Sequence, residues 1–372
     1  MEEQPEVTEI QRSTRDPAEL RTKLQAWLAD QLPPDAGLQV GDVRIPSTNG
    51  MSSETVLFDA TWTEEGESHA RAFAARLAPE DTAVPVFPSY DLARQARVMQ
   101  EVRAATEVPV PEVFWCEPVG EAVGTPFFVM QRVEGQVPPD VMPYPFGSWV
   151  TEATPEQRRR MQDSSIGVLA ELHSIEDARG RFAFLELHRR GSTAMHRQVA
   201  DQHAYYDWAR EGLRVPLIER AFDWLEEHWP AHEGPTGLSW GDSRIGNVMY
   251  REFEPVAVLD WEMAGLGPPE IDLAWFVYLH RFFQDLAQDY GLEGLPDFLR
   301  PDDVWATYES MTGYTPRDLD FFTVYAAVRY AIVSVRTTQR GVHFGQAEMP
   351  EDLDDLIMHR RGVEALLAGT YW

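Results

Sequence analysis

Ser239-Trp240-Gly241-Asp242-Ser243-Arg244-Ile245-Gly246-Asn247, followed by Val258-Leu259-Asp260-Trp261-Glu262, sets a carboxylate, an amide and a second carboxylate at fixed intervals. Asn247 follows Asp242 by five residues, and Asp260 lies thirteen beyond Asn247. Phosphoryl transfer uses such a trio: one carboxylate to accept the proton of an attacking hydroxyl, and oxygen ligands to hold a metal ion against nucleotide phosphates. Magnesium is a hard cation that takes oxygen ligands in octahedral geometry and keeps several waters. One carboxylate and one amide, completed by phosphate oxygens, satisfy it. Asp242 is therefore the candidate base, and Asn247 and Asp260 are the candidate metal ligands.

The flanks suit this arrangement. Val248-Met249-Tyr250 and Val256-Ala257-Val258-Leu259 read as two short strands joined by the turn Arg251-Glu252-Phe253-Glu254-Pro255, and such a hairpin brings Asn247 and Asp260 to one end. Each residue taken alone is also an ordinary turn or strand-end residue. The combination of both spacings carries the argument.

Both intervals match the protein-kinase catalytic loop and its metal-binding Asp, and the segment from Ser239 to Trp275 resembles the aminoglycoside phosphotransferase family. That family is the small-molecule branch of the protein-kinase-like fold. Its usual motif is His-Gly-Asp, four residues, Asn, then Asp-Trp-Glu or a variant, then Asp-Leu-Ala. Gly241-Asp242, Asn247, Asp260-Trp261-Glu262 and Asp272-Leu273-Ala274 match it. Trp240 departs, standing where the family usually has His, so support for the loop must come from indole packing or another group. The Trp-Gly-Asp-Ser-Arg form is closest to the kinase-like domains associated with acyl-CoA dehydrogenases. The resemblance implies that Arg244, where protein kinases have a lysine, steadies the transferring phosphate. It also implies that Asp272 anchors the catalytic loop.

The remaining nucleotide contacts are likewise implied by the resemblance. Lys23 is the sole lysine beside 31 arginines. It falls in a helix opened by Asp16 and Pro17, so it cannot be the strand lysine of a kinase. Arg76 occupies the position where the family grips the nucleotide phosphates, and a guanidinium offers them a bidentate fork. Stretches 41–46 and 55–63 alternate apolar and polar residues and read as strands around the linker 47–54. In the family that linker covers the phosphates, through backbone amides and here the hydroxyls of Ser52 and Ser53. A helix over about 90–102 places Gln95 where relatives carry the Glu that pairs with the strand cation, leaving Asp91 and Glu101 as alternatives. The strand Phe127-Phe128-Val129-Met130-Gln131 resembles the fifth strand and hinge. This assigns the Gln131 carbonyl and Val133 amide to the adenine edge and Met130 to the ring.

Composition agrees with a folded enzyme. The 372 residues, 44% hydrophobic and 11% aromatic, suffice for one large or two medium domains. No apolar run reaches membrane-spanning length, and the acidic start lacks a signal peptide's basic and apolar regions, which predicts a cytoplasmic protein without membrane contact. The single cysteine, Cys116, forms no internal disulfide and is expected in the core. A net charge of −29, from 32 basic and 61 acidic residues, argues against nucleic acid as a partner. It is compatible with a cationic acceptor or with simple solubility.

After the Pro-rich connector 137–145 the chain reads as mainly helical, with helices expected over 196–210, 216–229, 271–287, 303–311, 317–339 and 352–367. The fold expected is α+β, a bilobal protein-kinase-like fold. It comprises a helical extension (1–36), a small β-rich N-lobe with one helix (37–135) and a larger, mostly helical C-lobe (136–372). The activity expected is transfer of the γ-phosphate of ATP, with Mg2+, to a hydroxyl of a small molecule. Three acceptor readings stand: a polycationic aminoglycoside, a hydroxyacyl compound linked to acyl-CoA metabolism, or none, the chain being a nucleotide-binding pseudokinase.

Overall fold

The computed structural model describes residues 15–46, 53–80 and 84–372. Asp16 accepts a hydrogen bond from the Ala18 amide at 2.9 Å and Pro17 fills the first helical position, so helix α1 spans Pro17–Ala29. Both features are what a helix N-terminus requires. Lys23 lies on its exposed side and pairs with Glu19 at 2.7 Å.

Strands β1 (Gln39–Val40), β2 (Glu54–Glu64), β3 (Glu67–Leu77), β4 (Val113–Glu117) and β5 (Phe127–Gln131) form one antiparallel sheet in the order β1-β2-β3-β5-β4. Alternation puts Val56, Phe58, Phe73, Ala75, Leu77, Phe127 and Val129 on the face packed with Leu20, Leu24 and Leu28 of α1. Burying each of those leucines stabilises by roughly 1.5–3 kcal/mol. The strand expected over 41–46 is not continuous. Gly41 donates to the Asp59 carbonyl and Arg44 exchanges two bonds with Leu57, all at 2.8 Å. Gly41 and Asp42 favour turns over strands, so the pairing is intermittent. Cys116 lies on β4 and is only partly buried.

Helices α2 (Leu92–Ala105), α3 (Trp149–Glu152), α4 (Pro155–His173), α5 (Ala178–Arg181), α6 (Ala194–Ala209) and α7 (Pro216–Glu227) follow in order. Two small ladders come next: β6 (Gly237–Ser239) with β9 (Gly265–Gly267), and β7 (Val248–Arg251) with β8 (Glu254–Val258). Helices α8 (Glu270–Asp289), α9 (Pro301–Thr312), α10 (Leu319–His343) and α11 (Arg360–Leu367) complete the chain. The expected helix over 352–367 is instead a 3-10 turn at Leu353–Leu356 and the separate α11. Ser334 explains the break: its hydroxyl donates to the Leu356 carbonyl and accepts from the Met358 amide, intercepting groups that a continuous helix would use.

The described residues divide into two compact units. One is drawn from Met1–Ala96, Val113–Arg132 and Thr337–Met349, the other from Arg97–Glu112, Val133–Arg336 and Pro350–Trp372. The five-stranded sheet belongs to the first, and both small ladders to the second. Among the described residues no helix is long and apolar enough to cross a membrane.

Candidate active site

The segment 239–262 lies in the second unit, framed by its two ladders. In the first, Ser239 pairs with Gly265, so the chain leaves β6 beside the segment that leads into α8. In the second, Val248 pairs with Val258, and the Leu259 amide donates to the Asn247 carbonyl at 2.9 Å. Asn247 and Asp260 therefore sit at the same end of the β7–β8 hairpin. Its turn residues Glu252 and Phe253 both have positive φ, 51° and 66°, as a two-residue turn with the strands' own twist requires.

Asp272, in the first turn of α8, is wholly buried. It accepts from the Ser239 hydroxyl, the Trp240 amide and the Gly241 amide, each at 2.8 Å. Its backbone carbonyl accepts from the Ser243 hydroxyl at 2.8 Å. His173 at the end of α4 lies 3.0 Å from the same carboxylate and turns its other nitrogen to the Tyr308 hydroxyl, 2.9 Å away. Burial by itself would raise this carboxyl. The hydrogen bond and charge of His173, with the Gly241 amide and Ser239, outweigh it and hold the group below the usual aspartate value. Gly241 has φ +89°, and a Cβ there would stand 2.0 Å from the Met263 carbonyl oxygen, so no other residue fits.

Asp242 is 8% exposed. Its Oδ1 accepts from the Trp275 indole at 2.8 Å, and its Oδ2 from the Asn247 amide at 2.6 Å. The same amide nitrogen also donates to the Asp242 carbonyl at 3.0 Å. With its nitrogen committed twice to Asp242, Asn247 turns its oxygen away from that residue, which is the orientation a cation ligand needs. Asp260, the other candidate ligand, has φ +60°, a left-handed conformation that costs a non-glycine residue energy and often marks a functional turn. Oxygen donors on a carboxylate and an amide are the chemistry magnesium takes, so the residues present fit that ion.

Arg244 lies between two carboxylates. Its Nε donates to both oxygens of Asp242, at 3.1 and 3.2 Å, and its Nη1 pairs with Asp140 in the Pro-rich connector. Burial disfavours the charge, but Asp140, then Asp242, then Asp260 overcome that and push the guanidinium further above its ordinary value. Trp240 takes up a specific role of its own. It is almost wholly buried, and its indole nitrogen donates to the carbonyls of Leu259 at 3.0 Å and Asp260 at 3.3 Å. The indole thus ties the loop bearing Asp242 to the segment carrying Asp260.

His173, Trp275 and Asp140 join the site without having been expected there. Signals for the first two were present. His173 continues the buried stripe of α4 four residues after Leu169, and Trp275 lies one helical turn beyond Asp272 on the same face. Asp140 carried no local signal.

The remaining site residues lie on or beside the sheet. Arg76 pairs opposite Phe128, and Met130 opposite Ala74, so Arg76 and Met130 share the sheet face turned away from α1. Gln131 ends β5 and Val133 follows it. Ser53 is 4% exposed; Ser52 falls outside the described residues, as does most of the linker 47–54. Gln95 is buried on α2. The two alternatives considered for pairing with Arg76 have other work. Asp91 accepts from the Arg94 amide at 2.8 Å at the start of α2, and Glu101 pairs with Arg181 at 2.9 Å.

Comparison with known proteins accords with this architecture. The chain is 30% identical over 208 residues to acyl-CoA dehydrogenase family member 11 of Gallus gallus, a match covering 55% of this chain and 25% of the relative. It thus spans about a quarter of that protein's length. Among solved structures, a protein of Ralstonia eutropha JMP134 classed with the aminoglycoside phosphotransferases superposes with a TM-score of 0.63 at 22% identity, over 94% of this chain and 97% of the other. A variant of aminoglycoside phosphotransferase APH(4)-Ia, in a ternary complex with ADP and hygromycin B, gives 0.54 at 14% identity, over 93% and 98%. Both share the α+β, kinase-like fold. The family description "phosphotransferase enzyme family" (APH) matches residues 63–304, well over half of the chain. The chain belongs to the phosphotransferase enzyme family.

Proposed function

We propose that this protein transfers the γ-phosphate of ATP to a hydroxyl of a small molecule, with Asp242 as the base. The observation that carries the reading is the hairpin end that bears both Asn247 and Asp260, with Asn247 hydrogen-bonded to Asp242. Asp242 accepts the hydroxyl proton as the acceptor oxygen attacks the γ-phosphorus, whose bond to the β,γ-bridging oxygen breaks so that ADP leaves. Trp275 and Asn247 fix the carboxylate in one orientation while it does so. Arg244 supplies positive charge near the base, where charge builds on the transferring group. Asn247 and Asp260 are the residues that would hold Mg2+, which when bound offsets the charge of the β- and γ-phosphates. Ser52, Ser53 and Arg76 serve the phosphates, Met130 the adenine ring, and the Gln131 carbonyl and Val133 amide its edge.

Two acceptor classes have support. The acidic composition, net −29, suits a polycation such as an aminoglycoside. A partly apolar alcohol, including a hydroxyacyl compound, is favoured by the side chains around Asp242 itself. Trp275, which donates to Asp242, meets Tyr330 edge-on with ring centroids 6.2 Å apart, and the Arg244 guanidinium beside Asp242 repels a polycation. Similarity to the acyl-CoA dehydrogenase relative points the same way.

The test is ADP release with Mg2+ and a panel of aminoglycosides, choline-like amines, sugars and hydroxyacyl-CoA compounds. Acceptor-dependent turnover that disappears on chelation of the metal is expected. Nucleotide binding with no acceptor stimulating turnover would overturn the kinase reading in favour of a regulatory pseudokinase.

A further inference from the structure

Arg329 on α10 is 4% exposed, yet it forms no ion pair among the described residues. Its Nη2 donates to the Gly241 carbonyl at 3.1 Å, while Nε and Nη1 have no hydrogen-bond partner among the described residues. The guanidinium lies over the Trp275 ring, 4.5 Å from its centroid, and 5.5 Å from that of Tyr325. An unpaired buried charge is costly, and an apolar side chain of similar length would cover Trp275 without that cost. Packing alone does not account for an arginine here.

The two groups that Arg329 engages are those that orient Asp242. The Gly241 carbonyl belongs to the peptide that enters Asp242. The Gly241 amide is held by Asp272 at 2.8 Å, and its α-carbon is closed off by the Met263 carbonyl. Trp275 holds the Asp242 carboxylate through its indole N–H. Cation–π contact with a desolvated guanidinium fixes the plane of that indole.

We propose that Arg329 is a positioning residue for phosphoryl transfer, setting the Gly241–Asp242 peptide and the Trp275 indole so that the Asp242 carboxylate is aimed at the acceptor. The proposal rests on the assignment of Asp242 as base. Small misplacements of a reacting group cost rate without weakening ground-state binding, so the signature falls on kcat.

The probe is Mg-ATP with water as acceptor, read as ADP release, together with hydrogen exchange of the Trp275 indole N–H by NMR, its signal assigned by loss in Trp275→Phe. Arg329→Met is expected to lower kcat by about 10- to 100-fold, with KM for ATP changed less than about twofold. The Trp275 indole proton should exchange about tenfold faster or more, since its hydrogen bond to Asp242 is no longer braced. Arg329→Lys, which keeps a cation and a donor, should recover most of both losses. Should the Met variant fail to fold, Arg329→Gln carries the same two readouts, with the same split expected. An indole exchange rate equal to wild type, a loss lying in KM, or no recovery by lysine would each overturn the proposal. Equal ADP release by wild type and Asp242→Asn would instead sink the assignment of the base, and the indole exchange would still decide whether Arg329 braces the loop.

Discussion

Asp242 and Asp272 are two buried aspartates that meet the same loop, and their partners differ in kind. Asp272 is met by two backbone amides, a serine hydroxyl and a histidine, all buried and supplied by rigid parts of the fold. Asp242 is met by side chains alone: an indole, an amide and a guanidinium. The guanidinium is shared with Asp140. Backbone donors fix a carboxylate and cannot be withdrawn without unfolding the loop. Side-chain donors orient a carboxylate yet leave room for it to exchange partners during a reaction. The same residue type thus serves as an anchor in one place and, on the proposed function, as the reactive group in the other.

The sharpest way to break this contrast is Asp242→Asn. It should lower turnover by about 10²–10⁴-fold while leaving the denaturant midpoint near that of wild type, measured by ADP release and urea unfolding. A turnover unchanged within twofold would remove Asp242 from the chemistry. Asp272→Ala should do the reverse. It leaves His173 and two loop amides without their acceptor, a loss of roughly 3–5 kcal/mol in unfolding free energy, and activity should fall only as far as the loop is disordered.

A third test uses pH. Burial pushes His280 and His359 down to about 4, slightly countered by their hydrogen bonds to the carbonyls of Leu295 and Ala327. The unfolded chain titrates these groups near 6.5. Between those values the unfolded state binds protons that the folded state refuses, so stability falls as pH drops through that window. Each histidine should account for about 2 kcal/mol between pH 7 and pH 5. His359→Gln should remove about 2 kcal/mol of the stability difference between the two pH values in urea unfolding. Asp272 acts in a lower window. Its carboxyl lies below 3.8 in the folded state, so its contribution is present above about that pH and is lost as acid takes the pH through the folded value. The smallest effect is expected from Asp140→Asn. This weakens a partly exposed ion pair to Arg244 and should change kcat by less than about fivefold. A larger loss would show that Asp140 holds Arg244 in place for the reaction.

Much of the architecture was legible in local sequence. Asp16-Pro17 opens α1, and Thr154 with Pro155 and Gln157 opens α4 with a reciprocal capping box, because caps depend only on neighbours in the chain. The hairpin over 248–258 followed from two short apolar runs and a polar turn. Where expectation failed, distant groups had competed with local preference. Ser334 divides the expected helix over 352–367 from 24 residues away or less. The strand expected over 41–46 gave way to scattered bonds along β2. In the candidate site, Asn247 and Asp260 were readable from spacing. The replacement of the family's histidine by Trp240 was readable as a departure, but its hydrogen bonds to Leu259 and Asp260 were not.

The sequence by itself determined the order of elements, the hairpin that carries Asn247 and Asp260, and the candidate base five residues before Asn247, because turn chemistry and side-chain periodicity act over a few residues. Only the tertiary structure decided what surrounds that base. Asp140 reaches Arg244 across 104 residues, His173 reaches Asp272 across 99, and Arg329 reaches Gly241 across 88. Such pairings depend on how helices far apart in the chain pack around buried charge, and no local pattern of residues encodes them.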